Sequence, residues 1–434
     1  MSDRLRLTAE EEALLAGEEG AGVQKAMAIV VALGRIYGAV DLVPITSAQV
    51  SGVSFKNLGQ AGLEFLEEWA RMGARTRVTA TLNPAGTDLL AWRELGFPES
   101  FVRQQQAVID AYVVLGVLPT CTCTPYLTGH APGHGEHLAW AESSAVSYAN
   151  SVLGARTNRE GGPSALAAAI AGRTARYGLH LDEGRQPTVV IEVDCPVRSE
   201  ADLGALGYWV GQQVRNGVPY FRFHGGLPLG CDLKTLGAAM AASGAVGLFH
   251  IEGVTPEARS GAIRSAGLPV LALEDMEAGY QALNGTSSEI DLVSLGCPHA
   301  SLEEIAAIAA FLEGRHVRAA LWVTTARPIR GSAVEVGLVA RIEAAGGRVV
   351  ADTCLVVAPV AALGYRSLAT NSAKMAFYAP SHSGLAVRFG PMEQCLEAAL
   401  TGRWSDNAQG TMHKAQLEAR RVEGATERRS GRPR

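Results

Sequence analysis

From residue 7 to 36 apolar side chains recur three and four positions apart, through "AGEEGAGVQKAMAIVVALGRIYG", and the pattern stops at Gly38. That period predicts a helix over 7–36. The Ser/Gly-rich "TSAQVSGVSFKNLG" (46–59) reads as a loop leading into the helix of "AGLEFLEEWARMG". "TRVTATLNPAGTD" reads as a short strand and a turn. "HLAWAESSAVSYANSVLG" (137–154) keeps a helical apolar pattern with polar residues set inside it. A further helix is expected from Pro163, because proline suits a first helical turn. Beyond about residue 186 the texture changes. The runs "PTVVIEV", "PYFRF", "AVGLFHI", "LPVLAL", "EIDLVSL", "RAALWVTT" and "GRVVADT" alternate with helical stretches, which predicts parallel sheets of βαβ units. The pattern divides the chain into a helix-rich unit at 1–185, α/β units at 186–288 and 289–404, and a disordered basic tail at 405–434.

Composition narrows the class. At 434 residues the chain is too long for one core, and 47% hydrophobic content suits a soluble α/β enzyme. A net charge of −5 supplies no basic field for nucleic acid. No apolar run is long enough to span a membrane, and the acidic start lacks a signal-peptide core. Seven scattered cysteines do not read as a disulfide framework, so a cytoplasmic location is expected. Five of the 38 basic residues are lysine, and the Ala/Gly/Arg bias matches a GC-rich mesophilic bacterium.

The cysteines are the candidate chemistry. Cys121 and Cys123 follow "YVVLGVLPT", Cys195 follows "TVVIEVD", Cys297 follows "IDLVSLG" and Cys354 follows "RVVADT". Each stands just past the carboxyl end of an expected strand, where ligand crevices of α/β sheets open. A buried cysteine is most often a small hydrophobe. Several gathered at strand ends instead raise the possibility of a metal site. No CxxC, Walker A or GxGxxG pattern is present.

Several stretches carry a resemblance: "SGVSFKNLG", "TLNPAGTD", "CTPYL", "GEHLAWAESSAVSYANSVLGARTNREGGP", "SLGCPHASLEEI", "ADTC" and "TNSAK". Over roughly residues 5–400 the chain resembles the aconitase X family in its large-subunit form. The resemblance implies an aconitase-like three-domain α/β core, with parallel or mixed sheets flanked by helices and the swivelling domain absent. It implies that Cys123, Cys297 and Cys354 hold an iron–sulfur cluster, with [2Fe-2S] favoured and [4Fe-4S] or mononuclear iron as alternatives. It also implies a separate small subunit, the swivel domain, supplying a catalytic serine.

By the same resemblance the activity is a dehydration, the iron acting as Lewis acid on a small hydroxy acid. The bacterial composition favours cis-3-hydroxy-L-proline, converted to Δ1-pyrroline-2-carboxylate. Mevalonate 5-phosphate dehydratase is the alternative, and a non-catalytic iron–sulfur scaffold is the alternative of another class. Expected catalytic residues are Ser143, His299 and Lys374. Expected substrate-binding residues are Ser51, Lys56, Asn83, Arg156, Thr157, Asn158, Arg159 and Ser372. "ARTNREGG" precedes a helix N-terminus, which favours anions, and an arginine fork matches a carboxylate. Lys56 and Lys374 stand out because lysine is scarce. The chain departs from the family pattern at Gln49, where His is usual, and at Phe55, where Tyr is frequent.

Overall fold

The computed structural model describes residues 5–227 and 232–405. In the first unit a three-stranded parallel sheet places Ser47–Val50 between Thr79–Leu82 and Leu138–Trp140, with Gln49 opposite both Thr81 and Trp140. Ala48, Gln49 and Val50 are buried. A central parallel strand is covered on both faces, so it need not show alternation. This is why 46–59 is not simply a loop: it begins with that strand and passes into the helix Phe55–Arg71, which kinks at Gly59. Likewise 137–154 divides into the strand Leu138–Trp140 and the helix Ser143–Ser151. The stretch 7–36 forms two helices, Ala9–Ala16 and Ala21–Ile36. Gly17 takes a left-handed φ of 90° and closes the first, a standard glycine C-cap. A two-stranded antiparallel pair, Leu42–Pro44 with Arg173–Ala175, completes the unit.

The second unit is a four-stranded parallel sheet in the order His250–Ile251, Pro219–Phe223, Val189–Val193, Val270–Leu273. The third is a five-stranded parallel sheet in the order Arg348–Ala351, Ala320–Thr325, Leu292–Ala300, Ser367–Thr370, Ala386–Phe389. Its last two strands lie outside the β-rich runs read from the sequence. Each sheet has its own core, as Ile191, Phe221 and Met240 show in the second unit and Val293, Leu321 and Ile305 in the third.

Topology sets where chemistry can sit. In the third sheet the chain winds outward from Leu292–Ala300 on one side, then returns to its other side at Ser367–Thr370. In the first, Ser47–Val50 is flanked by strands that follow it on both sides. Such reversals open a crevice beyond the carboxyl ends of the strands. Among the described residues no helix is long and apolar enough to cross a membrane. The expected tail lies almost wholly outside the described residues.

Candidate active site

Three segments bring the expected cysteines together. Leu118 N–H donates to Ala80 O at 2.8 Å and Thr122 N–H to Leu82 O at 3.0 Å, so 118–122 runs along Thr79–Leu82 and delivers Cys123 to its carboxyl end. The preceding "YVV" is not strand, as expected, but the end of the helix Glu99–Val114. Cys297 follows Gly296, whose φ of 86° and whose close approach to Thr324 O, 2.1 Å from a hypothetical Cβ, admit only glycine. Cys354 follows Arg348–Ala351 by way of Asp352, held at a φ of 61°.

The thiols of Cys297 and Cys354 hydrogen-bond to each other, and the Ser372 hydroxyl bonds to Cys297. Cys123 is close enough to interact electrostatically with both. The bond from Cys354, opposed by burial and helped by Lys374, pulls Cys297 down to about 7. Burial pushes Cys123 up to about 12. Cys121 is buried with Asp352 and Arg327 as its charged neighbours. Cys195 lines a separate cavity, and Cys395 sits in the core of the third unit. Cys231 lies outside the described residues.

Among the described residues no three His, Cys, Asp or Glu side chains stand in a ready-made metal-binding group. The donor set nonetheless suits iron–sulfur chemistry: three thiols from separate segments influence one another electrostatically, with a fixed ammonium beside them. That ammonium is Lys374, from the helix Ala373–Ser383 that Ser372 caps at 3.1 Å to Met375 N. Lys374 Nζ forms a short ion pair with Glu142 and lies 3.4 Å from Ser143 Oγ and 3.5 Å from Ser144 Oγ. Glu142 also accepts from Asn83 Nδ2 at 2.6 Å and Ser144 Oγ at 3.0 Å. Burial works against both charges. Lys374 and these hydrogen bonds outweigh it for Glu142 and hold its carboxyl at about 2. Glu142 and the thiols of Cys297 and Cys123 keep Lys374 protonated well above the usual lysine range.

The other expected site residues divide. Lys56 Nζ reaches across to the third unit, donating to Ala358 O at 3.1 Å and His382 O at 3.2 Å. Burial lowers its pKa, and Cys354 is the opposing neighbour. Ser51 packs on the N-terminus of the helix Gly162–Ala171, where a Cβ at Gly162 would stand 2.4 Å from Ser51 O. Arg159 is exposed, with one bond, to Ala241 O at 3.1 Å. Arg156, by contrast, is taken up by Asp182 and by His180 O at 3.0 Å. Thr157 caps Trp140 N at 3.0 Å and donates to Asn158 O at 2.7 Å. Asn158 ties Tyr177 O and Leu179 N, at 3.0 and 2.9 Å. All three expected substrate-binding residues thus hold the loop to neighbouring segments.

His299 is the expected acid–base group. It is buried, with Nε2 2.8 Å from Thr353 O and Nδ1 3.0 Å from Thr122 Oγ1. Both ring nitrogens are therefore occupied, and burial drops its pKa to about 4, so the ring is neutral. Its backbone N–H donates to Cys123 Sγ at 3.2 Å. Gln49 is buried beneath the same loop, donating from Nε2 to Thr122 O at 3.0 Å.

Sequence reasoning missed several residues. Glu142 is absent from the expected site residues, yet it pairs with Lys374 and Asn83. Arg327 binds both Asp88 and Asp352, the former at 2.6 Å, and so joins the "TLNPAGTD" turn to the Cys354 loop. Lys234 is more deeply buried than Lys56 or Lys374 and bonds Glu304, Asp232 and, at 3.4 Å, His299 O. Lysine scarcity pointed to it equally, but nothing local separates it from a surface cation.

Family models for the first, second and third domains of aconitase X match residues 4–183, 187–283 and 290–401 in that order. The phosphomevalonate dehydratase large subunit of Methanothermobacter thermautotrophicus is 54% identical over 88% of this chain and 96% of that protein. The cis-3-hydroxy-L-proline dehydratase of Pseudomonas aeruginosa is 40% identical over 92% of this chain but 70% of that protein. The crystal structure of Thermococcus kodakaraensis aconitase X in its holo-form aligns with a TM-score of 0.83 at 45% identity, covering 91% of this chain and all of that one. Named relatives, a solved structure and three domain models in order agree, and the chain belongs to the aconitase X family of hydro-lyases.

Proposed function

We propose that this chain is the large subunit of a phosphomevalonate dehydratase, acting with a separate small subunit. The pattern of likeness carries this reading. Phosphomevalonate dehydratase large subunits reach 54% and 50% identity and are covered over 96% and 99% of their length. The hydroxyproline dehydratases stand at 40% and 36%, and 30% of their length lies beyond this match. Hydroxyproline, the first expectation, is accordingly the less favoured substrate. It rested on amino-acid composition, which reflects genome bias rather than any contact with a ligand.

In this reading Cys123, Cys297 and Cys354 hold an iron–sulfur cluster. When bound, it supplies a Lewis acid for the departing hydroxyl. Dehydration of a β-hydroxy acid removes a proton next to the carboxylate, so negative charge grows there and a fixed cation lowers the barrier. Lys374 is that cation, kept charged and aimed by Glu142. Asn83, Ser143 and Ser372 line the same crevice. Ser51, Lys56 and Arg159 are the groups proposed for the anionic ends of the substrate. The proton acceptor is assigned to the small subunit, because His299 has no free ring nitrogen.

The test is turnover of the anaerobically reconstituted pair. Dehydration of phosphomevalonate is expected, with the large chain alone inactive. Preferential turnover of cis-3-hydroxy-L-proline would reverse the substrate assignment. Full activity without a partner would end the two-subunit reading.

A further inference from the structure

We infer that His299 is a positioning residue that locks the three cysteine-bearing segments into one ligand set. The inference rests on the reading that these cysteines hold the iron centre. It starts from what one side chain joins. Nε2 meets Thr353 O at 2.8 Å, one residue before Cys354. Nδ1 meets Thr122 Oγ1 at 3.0 Å, one residue before Cys123. The backbone N–H donates to Cys123 Sγ at 3.2 Å, and His299 itself follows Cys297 by two residues.

A carbonyl oxygen only accepts, so Nε2 carries a proton, and in the tautomer with that single N–H Nδ1 accepts from the Thr122 hydroxyl. That hydroxyl is itself braced, accepting from Thr124 N–H at 3.1 Å. Thr353 is braced from the other side, its Oγ1 donating to Ala85 O at 3.1 Å. The three segments come from two different sheets, and apolar packing alone would let their ends slide. The imidazole, bonded at both ring nitrogens, spans the gap between two of them while its own backbone carries the third. Groups that orient metal ligands in this way contribute to holding the metal without touching it.

The test separates the two bonds. His299→Gln keeps an amide N–H near the Nε2 position but loses the acceptor for Thr122. His299→Asn keeps an acceptor near the Nδ1 position but loses the donor to Thr353. Thr122→Val removes the hydroxyl at constant volume. The readouts are iron and sulfide per chain, the rate of iron loss to a chelator, and the visible circular dichroism of anaerobically reconstituted protein. Melting of the metal-free protein serves as the control for folding.

Each single variant is expected to lose iron about 10-fold faster or more, the range typical of residues that orient metal ligands. Thr122→Val should add a further loss in the His299→Asn background and none in His299→Gln. Wild-type iron retention in all three variants overturns the inference. So does an equal added loss from Thr122→Val in both backgrounds, because Thr122 would then act without His299. If wild-type protein retains no iron after reconstitution, while folded, the cluster reading itself falls.

Discussion

Glu142 and Lys374 lie 232 residues apart in sequence and form one buried ion pair, each side chain only 11% exposed. Glu142 caps a helix of the first unit, and Lys374 opens a helix of the third just past Ser372. The pair therefore ties two domains together at the point where the thiols converge. Removing one partner strands a buried charge, which costs about 3–5 kcal/mol. Glu142→Gln is expected to lower the denaturation midpoint by a corresponding amount and to cut kcat. Combining it with Lys374→Met should recover stability but not turnover. Equal stability of wild type and the single variant would show that the pair does not form.

The same carboxylate sets a pH dependence. Glu142 is held at about 2, below its ordinary 4.5. A depressed carboxylate pKa contributes stability that is fully present above the unfolded value and is lost as pH falls through the folded one. The contribution should be constant above pH 4.5 and decline between 4.5 and about 2. Acid titration of Glu142→Gln beside wild type should lack that component.

Glu200 behaves in the opposite sense. Burial and the neighbouring Glu304 carboxylate, against Lys234, raise its pKa to about 7. Between its ordinary value of 4.5 and about 7 the folded chain holds a proton that the unfolded chain has released. Stability is therefore lost as pH rises through that window. Glu200→Gln should raise the melting temperature at pH 8 and leave it nearly unchanged at pH 4. A variant that melts lower at pH 8 would contradict the assignment.

The cysteines divide into two classes by position. Replacing Cys123, Cys297 or Cys354 with Ser is expected to abolish iron retention and activity. Replacing Cys121, Cys195 or Cys395 with Ser should leave iron bound, since none of these meets the Cys297–Cys354 pair. Iron analysis decides this directly, and bleaching by Cys121→Ser with retention by Cys123→Ser would exchange their roles.

The arginines of "ARTNREGG" divide as well. Arg156 is committed to Asp182, so Arg156→Lys should leave KM and kcat unchanged. Arg159 has a single backbone partner, and Arg159→Ala should raise KM about 10-fold, in line with a hydrogen bond to a charged group. Steady-state kinetics of both variants check the split, and the reverse ranking would place the substrate on the other arginine.

Expected strand ends pointed to five cysteines, because strand ends are where a parallel sheet presents side chains to a crevice, and the family resemblance narrowed them to Cys123, Cys297 and Cys354. The βαβ texture after residue 186 and the family resemblance come from local pattern alone. The central strand Ser47–Val50 was not legible, because a segment buried on both faces is under no demand to alternate and its Ser, Gln and Gly neighbours imitate a loop. The small strands Ser367–Thr370 and Ala386–Phe389 owe their extension to neighbours already in the sheet.

Roles were harder to read than residue types. His299 beside a cysteine suggests acid–base chemistry in a sequence, but its two ring nitrogens are engaged by Thr122 and Thr353, 177 and 54 residues away. Arg156 and Asn158 promise an anion grip in the sequence, and the fold supplies each with an intramolecular partner, Asp182 and Tyr177, that no local pattern announces. The sequence by itself determined which side chains are present and where most strands and helices of the βαβ units run, since backbone geometry and hydrophobic period act over a few residues. Only the tertiary structure decided which polar groups remain free for a ligand, because a hydrogen-bonding group is spent or available according to partners that distant segments bring to it.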